Sequence, residues 1–192
     1  MKKELRQFLS QCSIKRISDT KHTPAAVVLP LFLKNNEYWI LFIKRTETVK
    51  YHKGQISFPG GRRETKDLTL RDTALRELHE EIGVPPDNVE LLGELDNCVT
   101  VTSNYLISTF VGVIPYPFDF KPDTKEVASI IKIPISALLD KNCFREEVSN
   151  FGEKENTVCY FNYEDKVIWG ATARILKQFL EIWSQINLKK PS

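Results

Sequence analysis

One helix constrains this chain more than any other feature. From about Leu70 to Ile82, the residues Ala74, Leu75, Leu78 and Ile82 recur at helical spacing, and Gly83 with Pro85-Pro86 supplies a strong stop. At about 100° per residue, with Glu77 set at zero, Glu81 falls near 40° and Glu80 near 300°, beside an apolar stripe between about 60° and 160°. The helix therefore has a face that must be buried and, next to it, a tight patch of three carboxylates.

A solvated acidic face is the ordinary explanation of such a patch. Two physical details oppose it. Glu80 and Glu81 lie in the last turn, where the helix dipole disfavours negative charge by a few tenths of a kcal/mol each. Glu77 and Glu81, four residues apart with the same sign, add a similar penalty. A hard divalent cation held by oxygen ligands reverses both costs, and such a cation can bridge phosphate oxygens and activate water. Arg76 is placed to pair with a carboxylate and orient it, or to form an ordinary surface ion pair.

Elements of two kinds flank this helix. Residues 3 to 12 read as a short N-terminal helix, within an extension of about residues 1–23. Ala25–Leu33 and Tyr38–Ile43 read as antiparallel strands around the Asn35-Asn36 turn, and Lys44–Lys53 as a polar, basic loop. Gln55–Phe58 is a short strand closed by a turn at Pro59-Gly60-Gly61. Further strands are expected at 89–95, 105–114 and 126–133, then a short helix at 134–139. A hairpin is expected around Glu164-Asp165, and an amphipathic helix closes the chain from about Ala171 to Ile186. Strands on both sides of a central helix imply an α/β (α+β mixed) fold with a mixed sheet packed by helices. A length of 192 residues and the absence of a repeat or low-complexity linker fit a single domain over residues 1–192.

Gly60-Gly61 also allows close approach of backbone to a metal or phosphate. Around it cluster Lys44, Arg45, Lys50, His52, Lys53, Arg62 and Arg63, a basic rim beside an acidic patch. That pairing suits a polyanionic substrate. His79 falls near about 200° on the wheel, away from the carboxylates, and reads as structural or exposed. His52 is open to an acid–base reading, and Glu126, in the loop before an expected strand, is a candidate general base.

The run Arg76-Glu77-Leu78-His79-Glu80-Glu81-Ile82-Gly83-Val84 resembles the R-E-U-x-E-E-x-G-U core of the Nudix box, in which U is a bulky aliphatic. The full box is G-x5-E-x7-R-E-U-x-E-E-x-G-U. Counting from Gly61, this chain has Asp67 in place of the Glu, and eight rather than seven residues before Arg76. The departure resembles the coenzyme A pyrophosphatase branch. So does the upstream run Leu41-Phe42-Ile43-Lys44-Arg45-Thr46…Lys50…Gly54…Phe58-Pro59-Gly60-Gly61, although Lys50 stands where Arg is usual and Thr46 where Ser or Ala is. Ile168-Trp169-Gly170-Ala171-Thr172-Ala173-Arg174 is similar to the same branch. The resemblance implies a Nudix-type α/β/α sandwich and hydrolysis of coenzyme A, or its derivatives, to 3′,5′-ADP and 4′-phosphopantetheine. It implies Mg²⁺ or Mn²⁺ on Glu77 and Glu81, with Glu80 a further ligand or the group orienting the water and Gly61 completing the metal site; Glu77, Glu80, Glu81 and Arg76 are then the catalytic residues. Substrate contacts are expected from Arg45, Lys50, His52, Lys53, Gly60 and Arg62.

The formal charge of +2, from 27 basic and 25 acidic side chains, names no partner. Cys12, Cys98, Cys143 and Cys159 form no CxxC or CxxH pair, so neither zinc nor a disulfide framework is expected. No signal-peptide core, membrane-spanning run or peroxisomal tail is present, which makes the cytoplasm the expected compartment. A small-molecule nucleotide is the expected partner, with no membrane and no nucleic acid; a homodimer is compatible with the sequence. Two alternatives stay open: hydrolysis of another nucleoside diphosphate derivative (ADP-ribose, a dinucleotide or an oxidised nucleoside triphosphate), and a non-catalytic nucleotide sensor.

Overall fold

A computed structural model describes residues 1–17, 21–48, 52–100, 103–151 and 154–188. The elements in chain order are α1 (Lys2–Gln11), β1 (Thr23–Lys34), β2 (Glu37–Arg45), β3 (Ile56–Ser57), β4 (Gly60–Arg62), α2 (Leu70–Ile82), β5 (Glu90–Glu94) and β6 (Cys98–Val99). They continue with β7 (Tyr105–Val113), β8 (Val127–Pro134), α3 (Ile135–Leu138), β9 (Phe144–Phe151), β10 (Lys154–Tyr163), β11 (Lys166–Trp169) and α4 (Gly170–Leu188).

The larger sheet has eight strands and is mixed, as expected. Strand β1 organises it. Along one edge it pairs in parallel with β7 from Thr23↔Tyr105 to Leu31↔Val113. Its other edge is shared: Ala25–Val27 pair with β4, and Leu31–Lys34 with β2, both antiparallel. Strand β2 continues to β3 and β8, and β7 to β5 and β6. The second sheet has the order β11-β10-β9.

Burial on both faces explains why β1 and β2 read as continuous apolar runs rather than alternating ones. Leu29, Leu31, Ile40 and Phe42 point to one face, where Leu5 and Leu9 of α1 and Leu176, Phe179 and Trp183 of α4 cover them. Ala26, Val28, Phe32, Leu41 and Ile43 point to the other, covered by Ala74, Leu75, Leu78 and Ile82 of α2. The period of two assigns alternate residues to two separate cores, giving an α/β/α sandwich. No helix among the described residues is long and apolar enough to cross a membrane.

Helix α2 occupies the expected residues, and its ends are chemically specified. Thr69 accepts from the Asp72 amide while the Asp72 side chain accepts from the Thr69 amide, a reciprocal cap on two otherwise orphan donors. At the far end Gly83 adopts φ 76° and donates to the His79 carbonyl. Two expectations require correction. Gly60-Gly61 is not a turn ending a strand but part of β4, because β1 offers it an unpaired edge. Residues 144–151, read as no element, form β9: their polar side chains hid a strand that pairs with β10.

Candidate active site

Strand β4 and helix α2 bring the glycines and the carboxylates together. A Cβ on Gly61 would lie 2.5 Å from Glu77 Oε1, so only glycine leaves that carboxylate its place. At Gly60 a Cβ would lie 2.3 Å from the Ala26 carbonyl oxygen, since β4 is pressed onto β1. The Gly60 amide donates to Glu81 Oε2 at 2.8 Å.

Arg76 holds the upper part of the helix face. It grips Asp67 with two bonds of 2.9 Å, from Nε to Oδ1 and from Nη2 to Oδ2, while Nη1 reaches Glu77 at 2.9 Å and Glu80 at 2.7 Å. Asp67 is buried and also accepts from the Glu64 amide and the Thr73 hydroxyl. The Arg76 guanidinium above all, with these bonds, holds the Asp67 carboxyl well below the usual range. Asp67 thus faces Arg76 and fixes its orientation.

Glu81 lies deeper, only 3 % exposed, and burial pushes its pKa up to about 8 despite the Gly60 amide and Arg45. Burial also raises Glu77, and the neighbouring charges of Glu80 and Glu126 add to it. Arg45 stands at a register shift between β2 and β8, which aims its side chain between Glu81 (3.3 Å) and Glu126 (3.4 Å). Its Nε is buried and finds no acceptor among the described residues.

A hard divalent cation fits this donor set. Glu77 and Glu81 are oxygen donors whose proton affinity is raised by burial and by the neighbouring charge of Glu126, and the cations beside them, Arg76 at Glu77 and Arg45 at Glu81, do not offset that rise. Among the described residues no three such groups already converge as a finished cage. Glu80 is turned toward Arg76 and Lys66 and would have to rotate to join.

The patch opens into a cleft of about 850 Å³. Arg45, His52, Gly60, Gly61, Arg62, Arg76, Glu77 and Glu80 all line it, and so does Glu126. His52 meets Gln55 Oε1 through Nδ1 at 2.8 Å. Other expectations fare differently. Lys53 is exposed and borders a smaller neighbouring depression instead of the cleft. Arg63 leaves the basic rim because it donates to the Asp67 and Leu68 carbonyls and pins the loop. Lys50 lies outside the described residues. His79 is exposed, as its wheel position implied. The rest of the lining includes residues remote in sequence: Thr100, Tyr105, Val158, Trp169 and Ile175. Of these, only Trp169 belongs to a segment that its likeness to a known branch singles out.

Residues 21–147 match the NUDIX domain family. The chain belongs to the Nudix family. Among its relatives, the Nudix hydrolase NudL of Photorhabdus laumondii is 34% identical over 168 residues, covering 87% of this chain and 88% of that protein. NudL of Enterobacter sp. strain 638 is 32% identical over 166 residues, covering 86% and 83%. Similar solved structures include a MutT/nudix family protein from Enterococcus faecalis (TM-score 0.54, 14% identity, 95% of this chain and 74% of that one). Another is the Nudix hydrolase RenU of M. Smegmatis (TM-score 0.51, 18% identity, 62% and 74%). These likenesses show the fold. The Nudix match ends at residue 147, so Val158, Trp169 and Ile175 of the cleft lining lie beyond it.

Proposed function

We propose that this Nudix hydrolase cleaves the diphosphate of coenzyme A or a derivative, giving 3′,5′-ADP and 4′-phosphopantetheine. The observation that carries this reading is the shared wall of the cleft. Arg45 and Gly60-Gly61, from the segment resembling the coenzyme A branch, flank the acidic face of α2, while Ile107, Val158 and Ile175 supply apolar surface elsewhere in the same cleft. Charged groups suit the diphosphate and 3′-phosphate, and the apolar part suits a long, weakly polar arm.

Glu77 and Glu81 would hold a divalent cation, with Glu80 as a further ligand. When bound, that cation supplies Lewis acidity toward phosphate oxygens and lowers the pKa of water. The protein's own part is positional. Arg76 holds Glu77 and Glu80, the Gly60 amide holds Glu81, and Arg45 and Arg62 offer positive charge to the substrate.

Product analysis tests the proposal: purified protein with Mg²⁺ is given coenzyme A or ADP-ribose, beside a Glu81→Gln control. The expected result is 3′,5′-ADP, formed faster than any cut of ADP-ribose, and lost in the control and in EDTA. Turnover of ADP-ribose alone would overturn coenzyme A as substrate. No turnover of any diphosphate would favour a sensor.

A further inference from the structure

Trp169 is set apart from the other two tryptophans. Trp39 stacks on Phe32 and carries Lys34 over its ring, and Trp183 packs edge-on against Tyr38 and beside Phe179. Trp169 is 42% exposed, and among the described residues no ring or cation stacks on it. It ends β11, pairing with Tyr160, while its neighbour Ile168 turns into the core. The indole borders both the cleft and the smaller depression beside it, and so stands as a ledge between them.

The three residues after Trp169 keep space beside it. Gly170 has φ 65°, and a Cβ there would meet nothing within 4 Å. Gly170, Ala171 and Thr172 all line the cleft with small side chains. A large aromatic surface left bare in a cleft is costly to leave in water, and next to open space it forms a slot for a flat ring.

We infer that Trp169 is the stacking platform for the nucleobase of the substrate, and so a specificity-determining residue. The inference rests on the proposed function in needing a nucleotide substrate, but not in needing coenzyme A. In this arrangement the base lies on the indole, and the phosphates extend from it toward Arg45, Arg62 and the carboxylates of α2.

Binding of ADP, 3′,5′-ADP and inorganic pyrophosphate is measured by calorimetry on the full chain, alongside Trp169→Ala and Trp169→Phe. Tryptophan fluorescence is followed in parallel. Trp169→Ala is expected to weaken both adenine nucleotides roughly ten-fold or more and leave pyrophosphate unchanged. ADP is expected to quench the fluorescence of the wild type, and Trp169→Phe is expected to restore most of the affinity while abolishing that quench. Equal ADP affinity in wild type and Trp169→Ala, or a quench that persists in Trp169→Phe, would overturn the inference. The coenzyme A reading is scored separately, by the wild type's preference for 3′,5′-ADP over ADP. A lost preference with an intact Trp169 effect removes coenzyme A and keeps the platform.

Discussion

Asp67→Ala is the most informative substitution outside the cleft. It removes four accepted hydrogen bonds, two from Arg76 and one each from the Glu64 amide and the Thr73 hydroxyl. Breaking a buried ion pair by deleting one partner costs about 3–5 kcal/mol. Arg76 keeps Glu77, Glu80 and the Arg62 carbonyl, and Thr73 keeps the Thr69 carbonyl, so the lower end applies, about 3 kcal/mol. In a chain of this size that corresponds to a fall in Tm of roughly 6–12 °C. Calorimetry and urea denaturation at pH 7 measure it. The pH dependence checks the cause. The folded-state pKa of Asp67 lies below its unfolded value of about 3.9, so its stabilisation is complete above that value. It is lost as pH falls from there through the folded-state value. The gap between wild type and variant should therefore be constant from about pH 5 to 7 and narrow below about pH 4. A loss under about 1 kcal/mol, or a gap unchanged in acid, would refute the view that Asp67 acts as the buried anchor of Arg76.

Gly61→Ala should displace the Glu77 carboxylate, a movable group, and so lower kcat/KM about a hundred-fold with little change in Tm; equal loss of both would point to misfolding instead. With metal removed by EDTA, the raised pKa of Glu81 means the folded state holds a proton the unfolded chain releases. Stability should therefore fall as pH rises from about 4.3 toward 8, and added Mg²⁺ should flatten that slope; titration calorimetry would register proton release on binding. Arg62→Ala should raise KM for a phosphorylated nucleotide by several-fold while Lys53→Ala leaves it within about two-fold, because only Arg62 lines the cleft. Steady-state kinetics of the two variants side by side decide that comparison.

Local chemistry made α2 legible: its apolar period, the glycine stop and the unfavourable placement of Glu80 and Glu81 are all contained within 14 residues of sequence, 70–83. The same is true of the β1–β2 hairpin, joined by Asn35-Asn36. Elements whose existence depends on a distant partner were not legible. Gly60-Gly61 resembles a turn by every local criterion and becomes a strand only because β1 has a free edge there. Strand β9, with Arg145, Glu146 and Glu147 in sequence, becomes one because β10 pairs with it. In the site, charge announced the basic residues but not their targets. Arg63 spends its guanidinium on two carbonyls, whereas Arg45 is aimed at carboxylates by a register shift. Asp67 looked like a departure from a pattern and is a buried partner of Arg76.

The order of the elements along the chain, with α4 made long after β1 and β2, has a consequence for biosynthesis. Leu29, Leu31, Ile40 and Phe42 are made early, yet Leu176, Phe179 and Trp183, which help to cover them, leave the ribosome much later. Until then the sheet has one finished core, under α2, and one hydrophobic face that α1 alone covers in part. The nascent chain thus passes through a stage in which half of its sandwich is complete while the other half is sticky, and it relies on translation running on to α4 faster than that face finds another chain.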